Sequence, residues 1–234
     1  MTDKPLSRSA ASSAIGPTGW RFLLGTICAS VPVGSLARAA EIATAAVAAC
    51  GPFADTHLRV DLRPDRVELS LQDRAHAAVT DRDTQLAHAI TAELAERGAT
   101  IASPVTTQYE RPVQMLELVI DATDISAIRP FWRAVLGYGD EPGQDGPEDA
   151  IVDPAGQLPA IWFQQIDEPR PQRNRIHFDI TVSHDEAEPR VRAALAAGGV
   201  MVSDAAARSF WVLADAEGNE VCVCTWTDRD ERGW

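Results

Sequence analysis

Between Thr56 and Asp83 the chain concentrates groups able to move a proton near neutral pH: His57 and His76, with Asp83 available to orient a ring or accept a proton. Imidazole suits both acid and base work because its pKa lies close to neutral. Thr56 offers a hydroxyl that can position another hydroxyl but donates its proton poorly. Arg74 stays protonated at any working pH, so it fits the holding of an anionic or carbonyl group rather than proton transfer. His76 reads as a loop residue that a local shift would bring to the place of Arg74, and His88 as the surface of a helix. Towards the C-terminus, Cys222 and Cys224 alternate with Val221 and Val223, which sets both thiols on one side of a strand. No His or Cys stands near them in sequence, so packing is expected of them and chelation is not.

Several elements must position these groups. A Ser/Ala-rich tail over residues 1–18 is expected to be disordered, and Trp20 to Val31 reads as one strand. Gly34 to Cys50 is an alanine-rich helix with Leu36, Ala39, Ala40, Ala43, Ala46 and Val47 on one face, ended by Gly51-Pro52. His57 to Leu62 and Val67 to Leu71 alternate apolar and polar residues around the turn Arg63-Pro64-Asp65-Arg66, which marks a hairpin. Thr80 caps the next helix with Asp83 at the capping-box position, and Leu86, Ile90 and Leu94 line its apolar face. Residues 19–99 thus read as a β-α-β-β-α domain, and 100–112, with Ser, Thr and Pro but no periodicity, as a linker.

Residues 113–228 form a second domain with an internal repeat. Leu116 to Ile120 is a strand, Asp124 caps a helix to Leu136, and short strands follow at Ala150 to Val152 and Ala160 to Gln164. The order recurs at Ile176 to Val182, Glu186 to Ala197, Phe210 to Leu213 and Val221 to Trp226. Arg133-Ala134-Val135-Leu136-Gly137-Tyr138-Gly139 aligns with residues 193–199, and Asp153-Pro154-Ala155-Gly156-Gln157 echoes Asp215-Ala216-Glu217-Gly218-Asn219. Two βαβββ halves are implied, and the fold class is α+β. Trp132, Trp162, Trp211 and Trp226 fall on its elements and are expected in the core.

The order and spacing of Thr56-His57-Leu58, the strand Val67 to Leu71 and the helix start Ala78-Val79-Thr80-Asp81-Arg82-Asp83 resemble those of a pterin-4a-carbinolamine dehydratase. In that resemblance His57 falls on the second histidine of a His-His-Pro turn, while Thr56 replaces the first histidine, Leu58 the proline and Arg74 a third histidine. It implies a lyase reaction, loss of water from 4a-hydroxytetrahydrobiopterin, that needs no metal or organic cofactor. His57 and Asp83 would be catalytic, and Thr56, Arg74 and His76 would contact the substrate. With one imidazole left of three, the surviving pair supports pterin recognition more firmly than dehydration.

The paired halves, with Phe131-Trp132-Arg133-Ala134-Val135-Leu136-Gly137 and Gly218-Asn219-Glu220-Val221, resemble the glyoxalase/bleomycin-resistance (vicinal oxygen chelate) module. The repeat sets His177 opposite Glu117, both on first strands and both at the ligand position of that family, and Glu220 falls on its last-strand position. The fourth position lies near Trp162, which cannot ligate. Glu117, His177 and Glu220 would then offer one imidazole and two carboxylates to a divalent metal such as iron, manganese, nickel or zinc, with positions left open for catalysis. Asp179, two residues after His177 on the same strand face, reads as a surface carboxylate or a partner of the ligands. The resemblance leaves two functions open, a metal-dependent glyoxalase- or dioxygenase-type enzyme and a non-catalytic protein that binds a small, drug-like molecule.

The whole chain narrows the classes further. A formal charge of −13 argues against a nucleic-acid partner, which needs clustered Lys and Arg. Four cysteines in 234 residues are too few for a disulfide scaffold and fit a reducing cytoplasm. Lys4, Arg8, the apolar run from Phe22 to Val33 and Ser35-Leu36-Ala37 have the order of a secretory leader, but Arg21, Gly25, Thr26, Ser30 and Pro32 weaken its apolar core, and a tail followed by a strand is preferred. No segment is long and apolar enough to span a bilayer, so no membrane partner is expected. The expected partners are a small molecule, pterin-like or aromatic, and a second copy of the chain paired through exposed sheet edges.

Overall fold

The computed structural model describes residues 4–102, 114–169 and 176–229. The chain divides into two compact units, Met1–Met115 and Leu116–Trp234, and each has its own apolar core. Most of the expected linker lies outside the described residues.

The first unit begins with a helix where a disordered tail was expected. α1 (Arg8–Ile15) is capped by Ser7, whose Oγ accepts the Ala10 N–H at 3.2 Å, and it buries Ala11 and Ile15, one turn apart. The His88 ring nitrogen of a later helix stands 3.1 Å from the Ala14 carbonyl, so this histidine is on a helix surface and also anchors α1. The expected strand from Trp20 is two strands, β1 (Arg21–Leu23) and β2 (Thr26–Pro32), antiparallel about Leu24 and Gly25. Their φ angles of 43° and 74° lie in the left-handed region that a tight hairpin turn demands.

α2 (Leu36–Cys50) follows, and its buried face shares only Ala39 and Ala46 with the expected one. Ala39, Ile42, Ala45, Ala46 and Cys50 turn inward, while Leu36 and Val47 face solvent at 55% and 47% exposure. Ile42, the one large aliphatic side chain among the buried positions, and the i, i+3, i+4 spacing around it select the stripe. After the short α3 (Ala54–His57), β3 (Leu58–Leu62) and β4 (Arg66–Leu71) form the expected hairpin, and α4 (Asp81–Glu96) buries Leu86, Ile90 and Leu94. The sheet runs β1-β2-β4-β3, antiparallel throughout. Val67, Leu69 and Leu71 share one core with α1, α2 and α4, so the order is α-β-β-α-β-β-α with an extra turn of helix at His57.

The second unit repeats one motif. β5 (Glu117–Ala122), α5 (Ile125–Leu136), β6 (Gly139–Asp140), β7 (Ile151–Val152) and β8 (Ala160–Gln165) make the first half. β9 (Phe178–Thr181), α6 (Ala187–Ala196), β10 (Val200–Ser203), β11 (Phe210–Ala214) and β12 (Glu220–Cys224) make the second. The sheets run β5-β8-β7-β6 and β9-β12-β11-β10, with first and last strands parallel in both. The turn echo is physical as well. Asp153 accepts the N–H groups of Ala155 and Gln157, and Asp215 those of Glu217 and Asn219.

One face of each sheet packs on the helices, through Ile120, Ala122, Ile161 and Phe163 in the first half and Leu213, Val221 and Val223 in the second. The other face of the second sheet carries Cys222 and Cys224 on the last strand and Phe210 and Val212 on the third. Trp132 and Trp211 are core residues and Trp162 is half-buried, but Trp226 is 66% exposed beyond the end of β12, edge-on to His184. Among the described residues no helix is long and apolar enough to cross a membrane.

Candidate functional site

In the first unit the capping box operates as the spacing suggests. Asp83 is fully buried, and its Oδ2 accepts the Thr80 N–H at 2.8 Å and the Thr80 hydroxyl at 2.7 Å. Its other oxygen lies 2.8 Å from Nδ1 of His57, which is itself buried, so the carboxylate fixes the imidazole. Phe53 stands edge-on to that ring at 6.0 Å, and Arg82 lies over Phe53 at 4.3 Å.

The residues expected to contact substrate beside this pair bond to other neighbours. Thr56 turns its hydroxyl onto the Phe53 carbonyl, and its own carbonyl accepts the Arg74 N–H at 3.2 Å. The Arg74 guanidinium donates to the Asp55 carbonyl at 3.3 Å. His76 is exposed and held 3.0 Å from Asp73. Burial pushes the Asp73 carboxyl up, but the His76 bond, the Ala75 N–H and the nearby His57 outweigh it and hold the group below its ordinary value.

In the second unit the candidate donors gather differently from the expected set. β9 and β12 are parallel, with Phe178 beside Val221 and Asp179 beside Cys222. Strand alternation then puts His177, Asp179 and Cys222 on one face, opposite the core residues Phe178 and Val221. Their ligating atoms all lie within 4.8 Å of one another. His177 Nε2 stands 3.3 Å from Asp179, and both side chains are about half exposed, at 52% and 58%. Cys222 is buried; burial first, then the charge of Asp179 and the thiol's hydrogen bond to it, push that thiol up to about 12. The expectation that the Cys222–Cys224 strand has no His partner is therefore corrected: Asp179 on β9 and His177 just before that strand stand beside it, which sequence distance hides.

Glu117 and Glu220 are not among these clustered donors. Glu117 is exposed on the first strand of the other half, where its charge helps burial to raise the Glu141 carboxyl. The repeat equivalence that matches Glu117 with His177 puts them on separate sheets. Across from Glu117 in the β5–β8 ladder stands Ala160, not Trp162, and neither side chain can ligate. Glu220 opens β12, one residue before the Val221–Phe178 pair that begins the β9–β12 ladder, and its charge also bears on Cys222.

The donor set fits a divalent ion by its chemistry. Metal–ligand bonds of about 2.0–2.3 Å place neighbouring ligands of a tetrahedral site roughly 3.4–3.6 Å apart. Small side-chain rotations close that gap from separations no greater than 4.8 Å.

A cavity of about 520 Å³ adjoins this region, bounded by Leu118 and Ile120 of β5, Trp132 of α5, Ile176 and Phe178 at β9 and the turn from Glu217 to Glu220. Ile176 and Phe178 alternate with His177, so the cavity and the donor cluster meet β9 from opposite faces. Glu217 is a structural residue without an evident sequence signal. Its carboxylate accepts the N–H groups of Thr123 and Asp124 and the Thr123 hydroxyl, all at 2.7–2.9 Å, and so holds the start of α5 to the β11–β12 turn. Burial raises it, but those bonds outweigh burial and keep it ionised below its ordinary range.

A model of the glyoxalase-like domain family matches residues 117–224. No curated protein matches the chain. Among solved structures, oxidase ChaP-H2 is 20% identical over 49% of this chain and 94% of its own, with a TM-score of 0.37. The fosfomycin resistance protein FosX from Mesorhizobium loti is 12% identical over 52% and 98%, at 0.38. A glyoxalase-related enzyme from Fulvimarina pelagi is 19% identical over 48% and 87%, at 0.34. The family match covers both βαβββ halves of the second unit, and residues 117–224 are a glyoxalase-like, vicinal-oxygen-chelate domain.

Proposed function

We propose that the second unit is a divalent-metal-dependent enzyme of the glyoxalase or dioxygenase type, acting on a small apolar or aromatic compound. The observation that carries this reading is the donor cluster on the open face of β9 and β12, with two of its three side chains about half exposed. A bound divalent ion would polarise a substrate oxygen there. His177 would hold the ion through its imidazole, and Asp179, 3.3 Å away, would add a carboxylate oxygen and share the charge. Val212 and Phe210 continue the same face from Cys222 onto β11, which supplies an apolar floor beside the donors. Glu220, at the start of β12 two residues before Cys222, is available as a proton acceptor.

Turnover of small aromatic or carbonyl compounds is the test. Activity should appear on reconstitution with a divalent metal, disappear with a chelator and be absent from His177→Ala. Activity that ignores both treatments would overturn the reading. In that outcome the cavity beside Trp132 and Phe178 supports the alternative, binding of a small aromatic molecule without chemistry.

The buried His57–Asp83 pair favours a second reading for the first unit, a pterin site of the dehydratase type. The reading assigns substrate contacts to Thr56, Arg74 and His76 and requires no metal. Purified protein should accelerate quinonoid dihydropterin formation from 4a-hydroxytetrahydropterin, and the double variant Thr56→His, Arg74→His should accelerate it further. Equal rates with and without protein, for both forms, would rule the reading out.

A further inference from the structure

Three side chains converge on the open face of the second half, and one of them is a thiol. The Cys222 thiol donates to Asp179, and the His177 ring stands 3.3 Å from the same carboxylate. Two potential ligands thus already meet at a third. Cys222 is directly across the parallel ladder from Asp179, on the strand that sequence resemblance credits with Glu220 as its ligand. Glu220 does not belong to the cluster, whereas Cys222 does.

We infer that the metal of the second unit is held by His177 nitrogen, Asp179 oxygen and Cys222 sulfur, a thiolate site suited to zinc, cobalt(II) or iron(II) rather than to magnesium, calcium or manganese. This rests on the metal-dependent reading above and names its ligands. The thiolate supplies the softness that selects those ions, and the imidazole is compatible with all three. On binding, the S–H bond of Cys222 breaks, its proton leaves to solvent, and a metal–sulfur bond replaces the hydrogen bond to Asp179 with no change of oxidation state. Three protein ligands leave a fourth position for a substrate or water. Cys224, on the same face one step along β12, stands across from Thr181 and has no imidazole in the cluster to share.

Cobalt(II) reports a thiolate ligand directly, through a sulfur-to-metal charge-transfer band in the near ultraviolet. The experiment is a cobalt(II) titration of the metal-free full-length chain, its Cys222→Ser and Cys222→Ala variants, Cys224→Ser and Glu220→Gln. Wild type, Cys224→Ser and Glu220→Gln should show the band at about one cobalt per chain. Both Cys222 variants should lose it and bind cobalt more weakly, by at least the ~10–100-fold that loss of a ligand's supporting contact costs. Cobalt bound without the band, at an affinity that Cys222→Ser leaves alone and Glu220→Gln abolishes, would overturn the thiolate and leave the metal-dependent reading standing. A band that survives in Cys222→Ser and vanishes in Cys224→Ser would also overturn it. Absence of any cobalt binding would overturn both.

Discussion

Glu217 offers a direct test of how the two halves of the glyoxalase-like domain are held together. Its Oε1 accepts three of the four contacts, from the N–H groups of Thr123 and Asp124 and the Thr123 hydroxyl, and Oε2 accepts the fourth. Hydrogen bonds to a charged group contribute about 1.5–3 kcal/mol, less where water can replace the partner. Glu217→Ala removes all of them and should cost roughly 2–4 kcal/mol. Glu217→Gln keeps one neutral acceptor but turns an amide donor towards the Thr123 N–H, and should cost about 1–2 kcal/mol.

For a unit of this size those losses correspond to about 3–6 °C per kcal/mol. The assay is thermal and urea unfolding followed by near-ultraviolet circular dichroism. The sign of the pH dependence follows from the lowered carboxyl. Its contribution is complete above the unfolded-state value, near the ordinary 4.5, and is lost as pH falls through the lower folded-state value. The gap between wild type and Glu217→Gln should therefore be constant from neutral pH down to about 5 and shrink below about 4. Identical midpoints at pH 7, or a gap that persists undiminished in acid, would refute the reasoning.

Other perturbations follow from single contacts. Asp83→Ala removes the capping box and the partner of a buried imidazole, so it should cost about 2–4 kcal/mol in the first unit, measured by urea denaturation. Trp132→Phe leaves the buried Asp215 without the indole N–H it now accepts at 2.8 Å and should cost about 1–3 kcal/mol. Gly199→Ala would drive a Cβ into the Phe131 ring and to 2.9 Å from the Ala194 carbonyl, and the forced shift should cost about 1–3 kcal/mol of thermal stability in the second unit.

What the residues disclose unaided depends on whether a signal is local. The Thr80–Asp83 capping box and the paired Asp153 and Asp215 turns depend on contacts within a few residues, and spacing reveals them. The β1–β2 hairpin escapes detection because Leu24, not Asn or Gly, takes the first positive φ of its turn. α1 was masked by its Ser/Ala composition, although Ala11 and Ile15 already have helical spacing. On α2 the alanine-rich pattern marks a face with Leu36 and Val47, whereas the core selects Ile42.

The donor cluster shows the same limit. The repeat led to His177, but Cys222 and Asp179 meet only because β9 and β12 pair in parallel, in a register that no spacing in the chain encodes. The expected trio with Glu117 and Glu220 follows family positions. The clustered trio follows strand alternation, which brings in Asp179 one pleat after His177 and Cys222 one pleat after Glu220.

On the proposed function, His177 anchors a divalent metal on the open face of β9 and β12. Elemental analysis of the full-length chain, reconstituted with zinc or iron(II) and freed of excess by gel filtration, tests it most directly when wild type is compared with His177→Ala of equal thermal stability. About one metal per wild-type chain and a near-complete loss in the variant are predicted. Metal-free wild type, or the same metal content in both proteins, would contradict the account.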